Sequence, residues 1–378
     1  MTLLFLESLL GALVAVLVAG AAVPFVTRIA MAIRAVDYPG GRRLQTQAIP
    51  RIGGIAISTG IIVGASVSSL AVWRHVSTTI SAHEVIALGL GSFLVFLVGL
   101  AEDVIGVPAL QRLLIQAVSA AGVVYAGWSF GHLYIPLSGN IDLGWLGGLF
   151  AIVWIVGVTN AINLLDGLDG LAGGVTAIIA SSLLIFAWFQ QQFVTVILMS
   201  AVVGSCLGFL RHNWAPAKIF MGDSGSLTLG FLLATMSLYS SIKGATAVAI
   251  LVPILALGLP VIDTLLVMAV RFVEKPQGSL TRRFCRMFQA DRNHLHHIMT
   301  RAAPSRRRIV LVIYFVASFF CVMALIVAIS RSASLGLALV VVEVMVVLLM
   351  RNLRFRPKAR VLSLTQRRQV REVLIRRA

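Results

Sequence analysis

The sequence predicts an all-α, polytopic membrane protein of about eleven spanning helices. Three observations carry this. Hydrophobic residues make up 59% of the 378 positions and charged residues only 12%. With a mean hydropathy of +0.97, the chain lies outside the range of soluble domains. Its apolar residues fall into separate runs near the length that crosses a bilayer. Its Lys and Arg, which give a net charge of +17, collect on alternate connections between those runs. A charge of this size can also mark a nucleic-acid partner, but alternation along a membrane chain is the positive-inside pattern. No nucleic-acid partner is expected.

The runs cover residues 3–26, 54–72, 84–100, 113–128, 143–162, 172–189, 194–210, 225–240, 245–270, 309–330 and 334–350. Several are short for a hydrocarbon core of ~30 Å. The first lacks a basic leader and a small-residue cleavage site, so it is expected to stay as a helix. An odd number of spans puts the termini on opposite sides. One set of connections holds 28 of the 31 basic residues, and the other only Arg74, Lys243 and Arg331. The basic set is assigned to the cytoplasm, with the C-terminus inside and the N-terminus outside. Residues 1–350 then form one transmembrane domain. Residues 351–378 form a basic cytoplasmic tail suited to anionic lipid. Residues 129–142, with Gly131, Pro136, Gly139 and Asn140, predict a small external hairpin without chemistry. Cys206, Cys285 and Cys321 have no ligand spacing and read as free thiols.

The acids share one side of this map. Glu102, Asp103, Asp166, Asp169, Asp223 and Asp263 all fall at the cytoplasmic ends of runs, as does His294-Leu-His-His297. The central stretch is Asn160-Ala-Ile-Asn-Leu-Leu-Asp-Gly-Leu-Asp-Gly-Leu-Ala-Gly-Gly174, between two apolar runs. Gly167 and Gly170 end one helix and begin the next. Asp166 then faces the negative end of a helix dipole at a membrane edge, which calls for a compensating cation. The plainer reading is a polar hairpin with Asp169 as an N-cap. The adjacent acids Glu102 and Asp103, at another helix C-terminus, point to metal or proton transfer, or simply to a solvated boundary. Met221-Gly-Asp-Ser-Gly-Ser226 offers backbone N–H groups and hydroxyls at a helix start, which suits phosphate; Asp223 as a plain N-cap is the simpler reading. Phe220 is an interfacial anchor or a stacking face for a base. Arg42, Arg43, Arg51 and Arg112 can bind phosphate or be ordinary inner-loop charge. His294, His296 and His297 lack a helical His-x-x-x-His pair and fit phosphate donors better than a zinc site.

Together, these segments resemble the polyprenyl-phosphate N-acetylhexosamine-1-phosphate transferases, a branch of glycosyltransferase family 4. The resemblance rests on Asn160–Gly174, Phe220–Ser226, Pro260-Val-Ile-Asp-Thr264, His294–His297, the loop 37–54 and the acids at 102–103. It covers about residues 28 to 300. It implies a multi-pass enzyme of the bacterial inner membrane with its active site on the cytoplasmic face. The reaction implied moves an N-acetylhexosamine-1-phosphate, GlcNAc-1-phosphate first, from a UDP-N-acetylhexosamine to polyprenyl (undecaprenyl) phosphate, releases UMP, and starts a lipid-linked glycan such as an O-antigen. Mg2+ is the implied cofactor, with Mn2+ as an alternative. The resemblance leaves a homodimer open. Carried over to this chain, Asp103, Asp166, Asp169, Asp223 and His296 are the catalytic group. Asp223 and Asn163 are the metal ligands. Arg42, Arg43, Arg112, Asn163, Asp169, Phe220, His294 and His297 contact substrate. Two departures stand out: Gln45 occupies a position usually held by histidine, and Glu102 one usually held by aspartate.

Three other classes are weighed against this. A transporter would place its acids near the midplane, often within inverted repeats, whereas here they gather at one face without a visible repeat. A CDP-alcohol phosphotransferase signature would continue through Ala-Arg into further aspartates, where this chain runs Gly170-Leu-Ala-Gly-Gly174. A non-catalytic scaffold would turn over no UDP-sugar.

Overall fold

A computed structural model describes residues 2–38, 48–71, 80–135, 139–243, 248–274, 294–302 and 305–352. The described residues are almost entirely helical. Eleven long helices follow the eleven apolar runs: α1 (Thr2–Ala32), α2 (Gly54–Ala71), α3 (Ala82–Ile105), α4 (Ala109–Tyr125), α5 (Trp145–Leu165), α6 (Leu171–Phe189), α7 (Phe193–Asn213), α8 (Gly222–Lys243), α9 (Val248–Glu274), α11 (Arg306–Ser330) and α12 (Ala333–Asn352). Between α9 and α11 lies a short amphipathic helix, α10 (Leu295–Ala302). Two small antiparallel pairs complete the fold: β1 (Val36–Asp37) with β2 (Ile49–Pro50), and β3 (His132–Ile135) with β4 (Gly139–Asp142). The second is the expected hairpin.

Among the described residues, nine helices are long and apolar enough to cross a membrane. The apolar parts of α2 and α4, Gly54–Leu70 and Ala109–Tyr125, are shorter. α2 begins at Gly54, where its apolar run begins, and α4 begins at Ala109 behind Pro108 as its N-cap residue, four residues ahead of its run. Elsewhere helices outrun their apolar cores. The third run becomes α3 to Ile105, so Glu102 and Asp103 lie inside its last turn; Gly106, at φ 75°, ends it.

α8 is the axis of the bundle, packed by α3, α5, α2 and α6. It is the least apolar of the nine spans and the most buried. Small residues let neighbours approach, and their hydroxyls are satisfied within the helix. Thr228 Oγ1 donates to the Ser224 carbonyl at 2.7 Å, Thr235 Oγ1 to Phe231 at 2.8 Å and Ser241 Oγ to Ser237 at 2.8 Å. α9 continues through Pro253 and Pro260. Each proline leaves a carbonyl four residues earlier without its donor. Ser241 Oγ reaches the Ala249 carbonyl at 3.1 Å, and Cys321 Sγ lies 3.9 Å from that of Ala256. Cys206 and Cys321 are buried free thiols; Cys285 lies outside the described residues.

The two ends of the bundle differ. At one end, Trp128 is buried, donates its Nε1–H to Glu84 at 2.8 Å and packs on Tyr239 with ring centroids 4.7 Å apart. The β3–β4 hairpin lies at this end. Following α3 from Glu84 to Asp103 leads to the other end, where the acids gather. There the chain before α2 is stitched to the chain before α8. Phe220 N–H donates to Pro50 at 2.8 Å, Gly53 N–H to Phe220 at 3.0 Å and Gly54 N–H to Met221 at 2.8 Å. A Cβ on Gly54 would stand 2.2 Å from the Gly225 backbone nitrogen.

Gly54→Ala is therefore expected to destabilise the protein by about 1–3 kcal/mol, the usual cost of overpacking against backbone. Gly157→Ala in α5 is the control, because nothing lies within 4 Å of its added Cβ. Thermal melts in detergent should show a clear fall in Tm for the first and no fall for the second.

Candidate active site

The polar end is built from five distant segments. α3 brings Asp103, α4 brings Arg112, the α5–α6 turn brings Asn163, Asp166 and Asp169, α8 brings Asp223, and α10 brings His296. Arg42 and Arg43 lie outside the described residues.

Asp103 is buried, and its carboxylate caps the start of α8 from another helix. Oδ1 accepts the Asp223 N–H at 2.9 Å; Oδ2 accepts the Ser224 N–H at 2.9 Å and the Ser224 hydroxyl at 2.6 Å. Helix N-termini carry unsatisfied donors and a partial positive charge, so a carboxylate is well placed there. Arg51 adds a guanidinium 3.6 Å from Oδ1. The approach is close on both sides. Gly222, at φ 71°, has no room for a Cβ between Arg51 and Asp103, and a Cβ on Gly99 would fall 2.6 Å from the Asp223 carbonyl oxygen. The structure thus gives Asp103 a capping task, and its two oxygens are already engaged by three donors. Glu102 does something different: it accepts the Val107 N–H and closes the turn after α3.

Asp223 sits in the first turn of α8 and, with Asp103 already at the cap, its side chain points to Arg112 in a close ion pair. Both side chains are about a quarter exposed, 24% and 22%. The plain N-cap reading of Asp223 does not hold. Asn163, in the last turn of α5, donates Nδ2–H to Ser226 Oγ at 2.9 Å, one turn beyond Asp223. Ser226 in turn donates to the Gly222 carbonyl at 2.9 Å. This fixes the amide so that Oδ1 is the atom not bonded to α8. A turn earlier, Asn160 donates to buried Gln116 at 2.5 Å and ties α5 to α4.

Asp166 follows α5 directly and Gly170, at φ 79°, begins α6. Asp169 does not cap α6; its Oδ2 accepts the Ala217 N–H at 3.1 Å and holds the α7–α8 connection. Buried Asn213 takes the Gly170 N–H at 3.0 Å and gives its own N–H to Ile219 at 2.8 Å, while Tyr314 donates to the Gly170 carbonyl. Asp166 accepts no hydrogen bond from the described residues. Desolvation, and then the like charges of Asp223, Asp103 and Asp169, push its carboxyl up to about 7.

His296 packs on this turn. Its Nε2 stands 2.1 Å from where a Cβ on Gly167 would be. The ring is buried, Nε2 has no hydrogen-bond partner among the described residues, and desolvation with the neighbouring His297 lowers its pKa to about 3. His296 is therefore neutral at neutral pH. His297 tilts against it at 4.1 Å between centroids. His294 does not join them at the acids. It is 4% exposed and bound through Nδ1 to Asp263 at 3.0 Å, while its ring plane lies within 11° of that of His296. Phe220 is half-buried beside the loop it stitches.

Sequence reading missed Arg351, Asn213 and Tyr314 as parts of this end. Arg351 was assigned to the tail, yet it donates to Asp263 at 2.9 Å and is nearly buried. Nothing in the spacing pointed to Asn213 or Tyr314, because their partners are backbone groups far along the chain.

A helical membrane bundle with its carboxylates, amides and guanidinium groups collected at one end defines the class: a polytopic membrane protein with one polar, charge-paired site. The comparisons with known proteins narrow this. A profile for glycosyl transferase family 4 matches residues 85–241. The chain is 34% identical over 325 residues to a Bacillus subtilis protein described as a probable undecaprenyl-phosphate N-acetylglucosaminyl 1-phosphate transferase, covering 86% of this chain and 85% of that one. It is 31% identical over 317 residues, 76% of this chain and 74% of the other, to the decaprenyl-phosphate N-acetylglucosaminephosphotransferase of Mycobacterium tuberculosis. It also matches the phospho-N-acetylmuramoyl-pentapeptide-transferase of Bacillus subtilis at 31% over 249 residues, 62% of this chain and 74% of that one. The chain belongs to glycosyl transferase family 4.

Asp103→Asn tests the capping geometry. An amide puts N–H against the N–H groups of Asp223 or Ser224 and leaves a buried donor unsatisfied, at about 1–3 kcal/mol. The variant should melt clearly below wild type, and hydrogen exchange should quicken at Asp223 and Ser224 before the rest of α8. Unchanged exchange there would remove the cap.

Proposed function

We propose that the protein transfers N-acetylhexosamine-1-phosphate, first of all GlcNAc-1-phosphate, from a UDP-sugar to a polyprenyl phosphate, releasing UMP, at the cytoplasmic face of a bacterial inner membrane. The observation that carries this is the meeting of Asn163, Asp166, Asp223, Arg112 and His296 at one end of the bundle, in a chain whose relatives are named for this transfer. The product would begin a lipid-linked envelope glycan. The strong bias of basic residues toward this end supports its cytoplasmic placement.

The chemistry asks for little beyond positioning. An oxygen of the lipid phosphate attacks the sugar-bearing phosphorus of the UDP-sugar; the bond to the bridging oxygen breaks, and UMP leaves with that oxygen. The second pKa of a phosphate monoester is about 6, so the nucleophile is already largely dianionic at neutral pH. No strong base is required, which agrees with an Asp103 committed to α8. We therefore favour a one-step displacement. Arg112 lies beside Asp223 with a quarter of its side chain exposed, so it can turn its guanidinium to a phosphate. Neutral His296 presents an unengaged ring nitrogen next to the Gly167 turn. Phe220 supplies an aromatic face for uracil, and Arg42 and Arg43 add positive charge for the phosphates.

Mg2+ fits the donor set. Among the described residues no three His, Cys, Asp or Glu side chains form a metal cluster. Magnesium, however, takes one or two carboxylates and fills the remaining positions with substrate phosphate and water. Asp223 and Oδ1 of Asn163 would hold it, with the uncommitted carboxylate of Asp166 beside them. When bound, the ion offsets the charge that develops on the phosphates. Mn2+ suits the same oxygens.

The direct experiment is UMP release by purified protein supplied with polyprenyl phosphate and a panel of UDP-N-acetylhexosamines. Turnover with UDP-GlcNAc is expected; no turnover with any of them would reject the reading. Asp223→Ala should abolish release while the protein still folds. Metal affinity gives an independent test. Asp166 carries a proton below about pH 7, and a cation must displace it. Mg2+ affinity in calorimetry should thus be level above pH 7 and fall by up to about tenfold per pH unit below it. In Asp166→Asn this pH dependence should flatten.

A further inference from the structure

Asp263, in α9, is buried and takes three donors from two other elements: His294 Nδ1 at 3.0 Å, the Leu295 N–H at 3.0 Å and Arg351 Nη1 at 2.9 Å. Leu295 is the first residue of α10, so the Asp263 carboxylate caps that short helix. An eight-residue helix has little stability of its own in water, and its direction must come from such anchors. Two residues beyond His294, His296 lies against the Gly167 turn. The ring planes of His294 and His296 are 11° apart, with centroids 6.2 Å apart. Orientation fixed at His294 is therefore passed along the turn to His296.

Arg351 is the far anchor of this arrangement. It reaches Asp263 from the last turn of α12, with only 11% of its side chain exposed. α12 is held against α9 higher up as well. Glu343 is fully buried and faces Gly258, whose missing Cβ would otherwise stand 2.2 Å from the carboxyl group. Gly336 meets Leu251 in the same way. The guanidinium thus stands on a helix docked along much of its length, and it supplies the charge that Asp263 needs in a buried place. A buried carboxylate without a cationic partner would be costly.

We propose that Arg351 is a positioning residue for the site: through Asp263 and His294 it fixes the start of α10 and so holds His296 against the Asp166–Asp169 turn. This rests on the reading of that turn as part of the transferase site. α12, which also packs against α10, is then a strap that sets the histidine segment in place.

The test uses full-length protein and a readout that does not depend on turnover. Diethyl pyrocarbonate modifies unprotonated imidazole, and mass spectrometry reads each histidine separately. In the wild type His296 should be protected by its burial. In Arg351→Gln it should react about tenfold faster or more, with kcat for UMP release down by about tenfold or more and donor KM within about threefold. Arg351→Lys should restore most of the protection and rate. If Arg351→Gln does not fold, the double variant Arg351→Met with Asp263→Asn removes both charges together and avoids the lone buried carboxylate; it should melt near wild type and still expose His296. Wild-type protection of His296 in either folded variant overturns the proposal. So does a loss of kcat without loss of protection, or one that lysine fails to rescue. If the wild type releases no UMP from any donor, the labelling result still decides the positioning claim.

Discussion

A carboxylate at the edge of a bilayer must be compensated, and the polar end of this bundle depends on how that is done. The central case is Asp103. Its charge is taken up by the helix N-terminus of α8, whose first N–H groups would otherwise lack partners. One contact answers two needs. It also fixes the distance between α3 and α8, and it aims Asp223, the next side chain, toward Arg112.

The same solution recurs around the site. Asp263 caps α10, Asp169 accepts a backbone N–H of the α7–α8 connection, and Glu102 closes the turn after α3. Four acids are thus spent on backbone donors, which builds a rigid frame of loops. The groups left uncommitted by the described residues are Asp166, the Asn163 amide oxygen and the His296 ring nitrogen. A rigid frame with a few unsatisfied groups is what phosphoryl transfer needs, because positioning and charge compensation supply most of the catalysis there.

Much of this was legible in the sequence. Hydropathy runs located all eleven long helices, because a span needs continuous apolar residues. The Gly167 and Gly170 breaks placed the α5–α6 turn, and the sidedness of the acids foretold that they would meet. What could not be read was which acid serves the backbone and which remains available. Asp103 and Asp166 look alike in sequence; one caps a helix that begins at Gly222, the other has no donor among the described residues. That difference depends on helix ends meeting in three dimensions, as with Gly99 and Gly222, whose missing side chains allow the approach. Arg351 was hidden for the same reason. A basic residue before a basic tail looks like the tail until its helix is docked.

The proposed orientation puts Asp166, Asn163 and His296 on the cytoplasmic side of the membrane. Single cysteines introduced at Gly131 and at Lys218, in a background without Cys206, Cys285 and Cys321, test this most directly. Both positions are exposed, at opposite ends of the bundle. A membrane-impermeant maleimide added to intact cells should label Gly131→Cys and leave Lys218→Cys unlabelled until the membrane is opened. Labelling of Lys218→Cys in intact cells, with Gly131→Cys protected, would contradict the account.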